Sequence, residues 1–169
     1  MNLLRVSSAL LGLALASTLA AALPPAHTEV TFSHPENFTD VKDSYLPTDA
    51  GRDQILRQLR EHIAAEAAPL LPAGSTLAMT FTDVDLAGEY EPWHSGQLAD
   101  VRIVKAIYPP AFKFTYTVTA ADGRVLAHGD ENIRDLGFDL RPVFDASDSL
   151  HFEKAFLDDW IHSNLHGLK

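Results

Sequence analysis

The chain predicts an α+β fold: an antiparallel sheet of four to five strands with two helices packed on one face, in the order β-α-β-β-β-α. Three observations lead there. Short runs of alternating apolar residues are separated by Gly and Pro. Two longer stretches place apolar residues at helical spacing. Most of the strands follow one another with no helix between them, which favours antiparallel pairing.

Val30 and Phe32 alternate with polar residues over 29–33, giving a first half-buried strand. Residues 34–47 hold two prolines and scattered charge, so they form a loop in which Phe38, Val41 and Tyr45 tack onto the core. Thr48 or Asp49 caps the helix that follows, because either side chain accepts from an otherwise unpaired amide of the first turn. Ile55, Leu56, Leu59, Ile63 and Ala67 make its buried stripe, and Pro69 stops it by Ala68. Over 76–81, Leu77, Met79 and Phe81 share one side of a second strand. Asp83 and Asp85 have the same parity, so this strand ends, bulges or leaves the core near Thr82.

Residues 101–106 read as a third strand, stopped by Tyr108, Pro109 and Pro110. Phe112, Phe114, Tyr116 and Val118 alternate with Lys113, Thr115 and Thr117, and a turn at Asp122 and Gly123 leads into 124–128. These two segments predict a hairpin. Residues 132–146 show no period and read as a long connection. Ser147 or Asp148 then caps a last helix, whose apolar face holds Phe152, Phe156 and Trp160 beside Leu157 and Ile161.

Residues 1–22 predict a secretory signal: Arg5 is the only charge, an apolar run covers 6–19, and Ala20, Ala21 and Ala22 supply small residues for cleavage. A single domain over 23–169 would remain, with no further apolar segment long enough to span a bilayer. The cysteine count is zero, which excludes disulfides, a lipidated cysteine, a thiol nucleophile and thiolate metal sites. With 13 basic against 23 acidic residues the net charge is −10. Such a surface repels phosphate backbones and anionic lipids, so nucleic acid is not an expected partner.

Asp83, Asp85, Glu89 and Glu91 gather four carboxylates near one strand end, a composition that can divide acid and base roles or hold a hard cation. Their spacing matches no calcium loop, and the plainer alternative is that these acids cap turns or pair with Arg102 and Lys105. Tyr90, Trp93 and His94 offer either a recognition surface or a loop that folds back over the core edge. Tyr108, before its two prolines, is a ligand edge or a strand stop. Among 8 histidines, His162 and His166 stand four apart with Asp158 one turn earlier. With no HExxH pattern, a solvated helix face is the expectation. GxSxG, phosphate-loop and dinucleotide motifs are all absent, and neither cofactor nor metal is expected.

Four stretches, VTFSHPENFTD (30–40), TDVDLAGEYEPW (82–93), DVRIVKAIYPP (100–110) and FEKAFLDDW (152–160), together resemble a bacterial family, domain of unknown function 3016. The resemblance implies an exported one-domain protein, in a Gram-negative periplasm, and lends no catalytic residue. It draws attention to Asp159 and Trp160 as structural residues, Trp160 facing the sheet and Asp159 bonding to a strand or loop. The expectation is an unlipidated periplasmic binding or interaction module. It would engage a protein or small ligand through Asp83, Asp85, Glu91, Trp93, His94 and Tyr108. Two alternatives stand beside it: a hydrolase or metal-dependent enzyme using Asp83, Asp85, Glu91 and His94, and a structural envelope protein without a small-molecule site.

Overall fold

A computed structural model describes residues 22–91, 93, 100–143 and 147–169. The predicted signal at 1–22 therefore lies outside the described residues save for Ala22, and so does His94.

The first strand, β1 (His27–Phe32), leads through a 3-10 turn and a loop into helix α1 (Asp49–Ala67). Thr48 caps that helix, its hydroxyl accepting from the Gly51 amide at 3.0 Å. Leu56, Leu59, Ile63 and Ala67 are its buried stripe. The chain returns as β2 (Thr76–Asp85), continues into a two-strand ribbon, β3 (Glu89–Tyr90) with β4 (Arg102–Ile103), and then forms the β5 (Ala111–Thr119) and β6 (Val125–Arg134) hairpin. Helix α2 (His151–Leu165) closes the order. The main sheet runs β1-β2-β5-β6.

The α+β class holds, while the antiparallel sheet and the element order are corrected. Strand β1 lies parallel to β2, with Val30 beside Met79 and Phe32 beside Phe81, so the sheet is mixed. The reason is α1: a helix between two neighbouring strands carries the chain back to the starting edge, which produces parallel pairing. The predicted strand at 101–106 shrinks to Arg102–Ile103 and pairs with Glu89–Tyr90 outside the main sheet. Two residues of each strand cannot cover a helix face, so the ribbon acts as an arm.

The expected break near Thr82 is a bulge. Phe81 pairs with Phe114 and Asp83 with Lys113, leaving Thr82 as the extra residue. Parity inverts across it, and Val84 returns to the core opposite Phe112 while Asp83 and Asp85 turn outward. Strand β6 runs to Arg134, further than the expected 128, so the connection after it is shorter than the sequence suggests.

Both helices cover one face. Phe81, Phe112 and Phe114 form a connected aromatic cluster with centroids 4.8–5.9 Å apart, and Trp160 meets Phe114 and Tyr116 edge-on at 4.9 and 4.8 Å. Phe156 stacks on Phe112, whereas Phe152 turns away to Phe138. The other face of the sheet exposes Thr82, Lys113 and Thr115 to solvent. No helix among the described residues is long and apolar enough to cross a membrane.

A cleft between the helices and the ribbon

Beyond the 3-10 turn the β1 line resumes at Asp40, whose amide donates to Val84 O at 3.0 Å while its carbonyl accepts from the Leu86 amide at 3.1 Å. This tether brings the Asp40 carboxylate, 2% exposed, to the corner where β2 passes into β3. Arg102 of β4 reaches the same corner. Its Nη1 donates to Asp40 Oδ2 at 2.7 Å and its Nη2 to Asp40 Oδ1 at 3.2 Å, a two-pronged pair. It also donates to the carbonyls of Gly88 at 2.9 Å and Lys42 at 3.0 Å, and lies over the Tyr90 ring at 4.8 Å. Burial favours loss of the guanidinium proton, but Asp40 outweighs it and holds Arg102 above its ordinary range. One side chain thus ties the β1–α1 loop, the β2–β3 corner and the ribbon together.

Gly88 makes that corner possible. Its φ of 80° belongs to the left-handed region, and a Cβ there would sit 2.8 Å from Ile103 O. On the facing side, Glu153 in the first turn of α2 is 1% exposed, and its Oε1 accepts from the Ala87 amide at 2.6 Å. Its Oε2 has no partner among the described residues. Burial pushes this carboxyl above the usual carboxylate range, the opposing pull of the Ala87 amide notwithstanding.

Between these groups lies a cleft of about 270 Å³, walled by α1, the start of α2, and the Tyr90 and Arg102 ribbon. Ile55, Leu86 and Leu150 give it apolar surface, and Gln54, Gln58 and Ser149 bring uncharged polar groups to its wall. Asp43 and Gly51 close one end: Asp43 accepts from the Thr48 amide and hydroxyl, both at 3.1 Å. The Thr48 amide bond holds the Asp43 carboxyl below its ordinary range despite some burial. A Cβ on Gly51 would meet Asp43 Cγ at 2.0 Å, so this helix position needs a glycine for Asp43 to seat.

The acids singled out by the sequence go to separate places, and none lines this cleft. Asp83 accepts from the Thr39 amide at 2.8 Å and from Lys113 at 3.0 Å, and these bonds hold it below its ordinary range against the effect of burial. Asp85 stands 3.5 Å from Arg134, with burial pushing its carboxyl up. Glu91 is buried and accepts from Lys105 Nζ at 2.6 and 2.7 Å and from the Tyr108 hydroxyl at 2.9 Å. That bond to Glu91 pushes the Tyr108 phenol up. Glu91 and Tyr108 are therefore brought together, and Lys105 does pair with an acid, while Arg102 goes to Asp40. Trp93 is 68% exposed. Trp160 is buried against the sheet, and Asp159 pairs with Arg141 of the preceding connection at 2.7 Å.

His162 is exposed and, among the described residues, bonds along its own helix, to Asp158 O. Asp158 instead holds His62 of α1, Nε2 to Oδ1 at 2.6 Å. No group of three or more metal-ligating side chains forms among the described residues.

Asp40, Glu153 and the two glutamines were not singled out from sequence. One of them carried a signal. Glu153 lies one turn before Leu157 and two before Trp160 and Ile161, so a charge falls on the buried stripe of α2. The glutamines lie one turn apart on α1 beside its stripe, where the pattern expects only solvent.

No curated protein matches the chain. A family does: residues 26–163, from the leader of β1 to the last turn of α2, match the family described as protein of unknown function (DUF3016). That match covers most of the chain, and the protein belongs to the DUF3016 family.

Proposed function

We propose that the protein is an exported, non-enzymatic binding module of the periplasm, and that a small ligand seats in the cleft between α1, α2 and the ribbon. Glu153 carries this reading. A carboxyl buried among apolar neighbours is retained when it is satisfied, and here one oxygen accepts an amide while the other is left without a partner at the cleft wall. The rigid surroundings, with Arg102 tied to Asp40 and two backbone carbonyls, support a preformed site. Tyr90 belongs to the wall, so the ribbon contributes directly to the interaction surface. Export rests on the pattern of residues 1–22 and is checked by sequencing the N-terminus of protein recovered from the envelope, which should begin near Leu23.

The test of the site is thermal unfolding in the presence of the low-molecular-mass fraction of a periplasmic extract. A ligand that binds only the native state raises the melting temperature. Wild type should gain a few degrees, and Gln58→Trp, which fills the cleft, should gain none. No shift in wild type, or equal shifts in both, removes the cleft as a ligand site.

A further inference from the structure

The charged groups around the cleft are already committed. Lys42 stands 3.5 Å from Glu89 and 4.0 Å from Asp40, Asp43 is held by Thr48, and Arg102 is held by Asp40. They also alternate in sign, so an anion meets Asp43 and a cation meets Lys42 and Arg102. Neither sign of ligand finds an unopposed counter-charge.

The uncommitted groups are of another kind. The side chains of Gln54, Gln58 and Ser149 make no hydrogen bond among the described residues, and Glu153 Oε2 makes none. Each glutamine amide presents two donors and one acceptor oxygen, and the serine hydroxyl does both. Burial pushes the Glu153 carboxyl above its ordinary range, and its buried Oε2 is left without a partner among the described residues while Oε1 keeps the Ala87 amide. The two glutamines stand at i and i+4, so their Cβ atoms are about 5–6 Å apart on one helix face. Ile55, Leu86 and Leu150 lie among these groups as apolar surface. The volume of about 270 Å³ falls just under the roughly 300–1,000 Å³ of pockets for larger ligands.

From this arrangement we propose that the cleft takes an uncharged, hydroxyl-rich small molecule of the saccharide or polyol class. Hydroxyls both donate and accept, as do the free groups of the wall, and the C–H faces of a sugar ring suit the apolar surface between them. The proposal rests on the cleft being a ligand site and adds the chemistry of what enters it.

Saturation-transfer NMR on the full mature chain tests it, with D-glucose, N-acetyl-D-glucosamine and glycerol as uncharged probes and spermidine and citrate as charged ones. At least one uncharged probe should receive saturation. Its affinity should fall about tenfold or more in Gln54→Ala/Gln58→Ala, the loss of two hydrogen bonds of ordinary strength. Alanine keeps α1 helical, so folding is preserved. Thr115→Ala, on the open face of the sheet, should bind as wild type does. Binding of no uncharged probe, or equal binding by the double variant, overturns the proposal. Binding of spermidine or citrate alone, lost in Gln58→Trp, overturns the ligand class while leaving the cleft as a site, so the two readings fail separately.

Discussion

The aromatic face of the sheet and the corner that walls the cleft are both buried, yet they are held by different forces. At the first, Phe81, Phe112, Phe114 and Trp160 meet ring to ring, and the contacts need only shape and apolar area. At the second, Asp40, Arg102 and Glu153 are fixed by directional bonds between charged or polar groups. Packing tolerates many partners of similar size, whereas a buried charge tolerates only one that answers it. The aromatic face is where the fold gains stability, and the corner is where it gains a defined cavity.

Phe114→Ala gives the largest effect expected, a loss of about 4 kcal/mol in urea unfolding, because the ring touches both Phe81 and Trp160 and leaves a void. Arg102→Met follows at about 3 kcal/mol, since it strands the Asp40 carboxylate at 2% exposure. The two regions differ most in rescue. Adding Asp40→Leu to Arg102→Met should restore most of the loss, whereas no removal of a neighbour restores Phe114→Ala. A double variant no more stable than Arg102→Met alone would mean that the corner is not governed by its charge pair.

Glu153→Gln sharpens the comparison through pH. The native carboxyl is raised above its ordinary value of 4.5 by burial, so the folded state holds the proton more tightly than the unfolded chain. Its contribution is most favourable at low pH and falls as pH rises from about 4.5 through the raised native value. Glutamine removes that dependence while its amide oxygen still accepts from Ala87. The variant should therefore be the more stable at neutral pH, and the gap should close toward pH 4.5, as followed by denaturant unfolding across that range. A gap that widens on acidification contradicts the burial of a carboxylic acid at this position.

Gly51→Ala has the smallest expected effect on stability, within about 1 kcal/mol of wild type. The gain from alanine in a helix offsets the displaced Asp43 bonds to Thr48. The cleft end moves with Asp43, so ligand-induced thermal stabilisation should fall while the unfolding midpoint barely changes. That separation of stability from binding is available at the corner and absent from the aromatic face.

The same contrast governs what could be read from the chain. Periodicity located both helices, the β5–β6 hairpin and a break near Thr82, because each follows from which residues must face a core, and side-chain chemistry narrowed the α1 cap to Thr48 or Asp49. It missed that β1 is parallel to β2, although the helix between them carries that information once it is treated as a crossover. It also drew 101–106 into the sheet, where apolar Val101, Ile103 and Val104 alternate too weakly to compete with β5. The carboxylates of 83–91 drew attention by their clustering, yet the bulge and the corner send them to different partners. Asp40 and Arg102 are 62 positions apart in sequence, and only the tertiary fold makes them neighbours.

The parallel pairing of β1 with β2 also makes the cleft a long-range construction. The β5–β6 hairpin closes a short turn, whereas β1 meets β2 only across the whole length of α1, His27 beside Thr76. The walls of the cleft close longer loops still: Asp40 meets Arg102 from 62 positions away and Ala87 meets Glu153 from 66. Each such closure carries an entropic cost that local contacts do not. With β1 out of place β2 keeps an unpaired edge and Asp40 loses its seat beside Val84, so the cleft belongs to the assembled tertiary fold and to no single hairpin or helix of it.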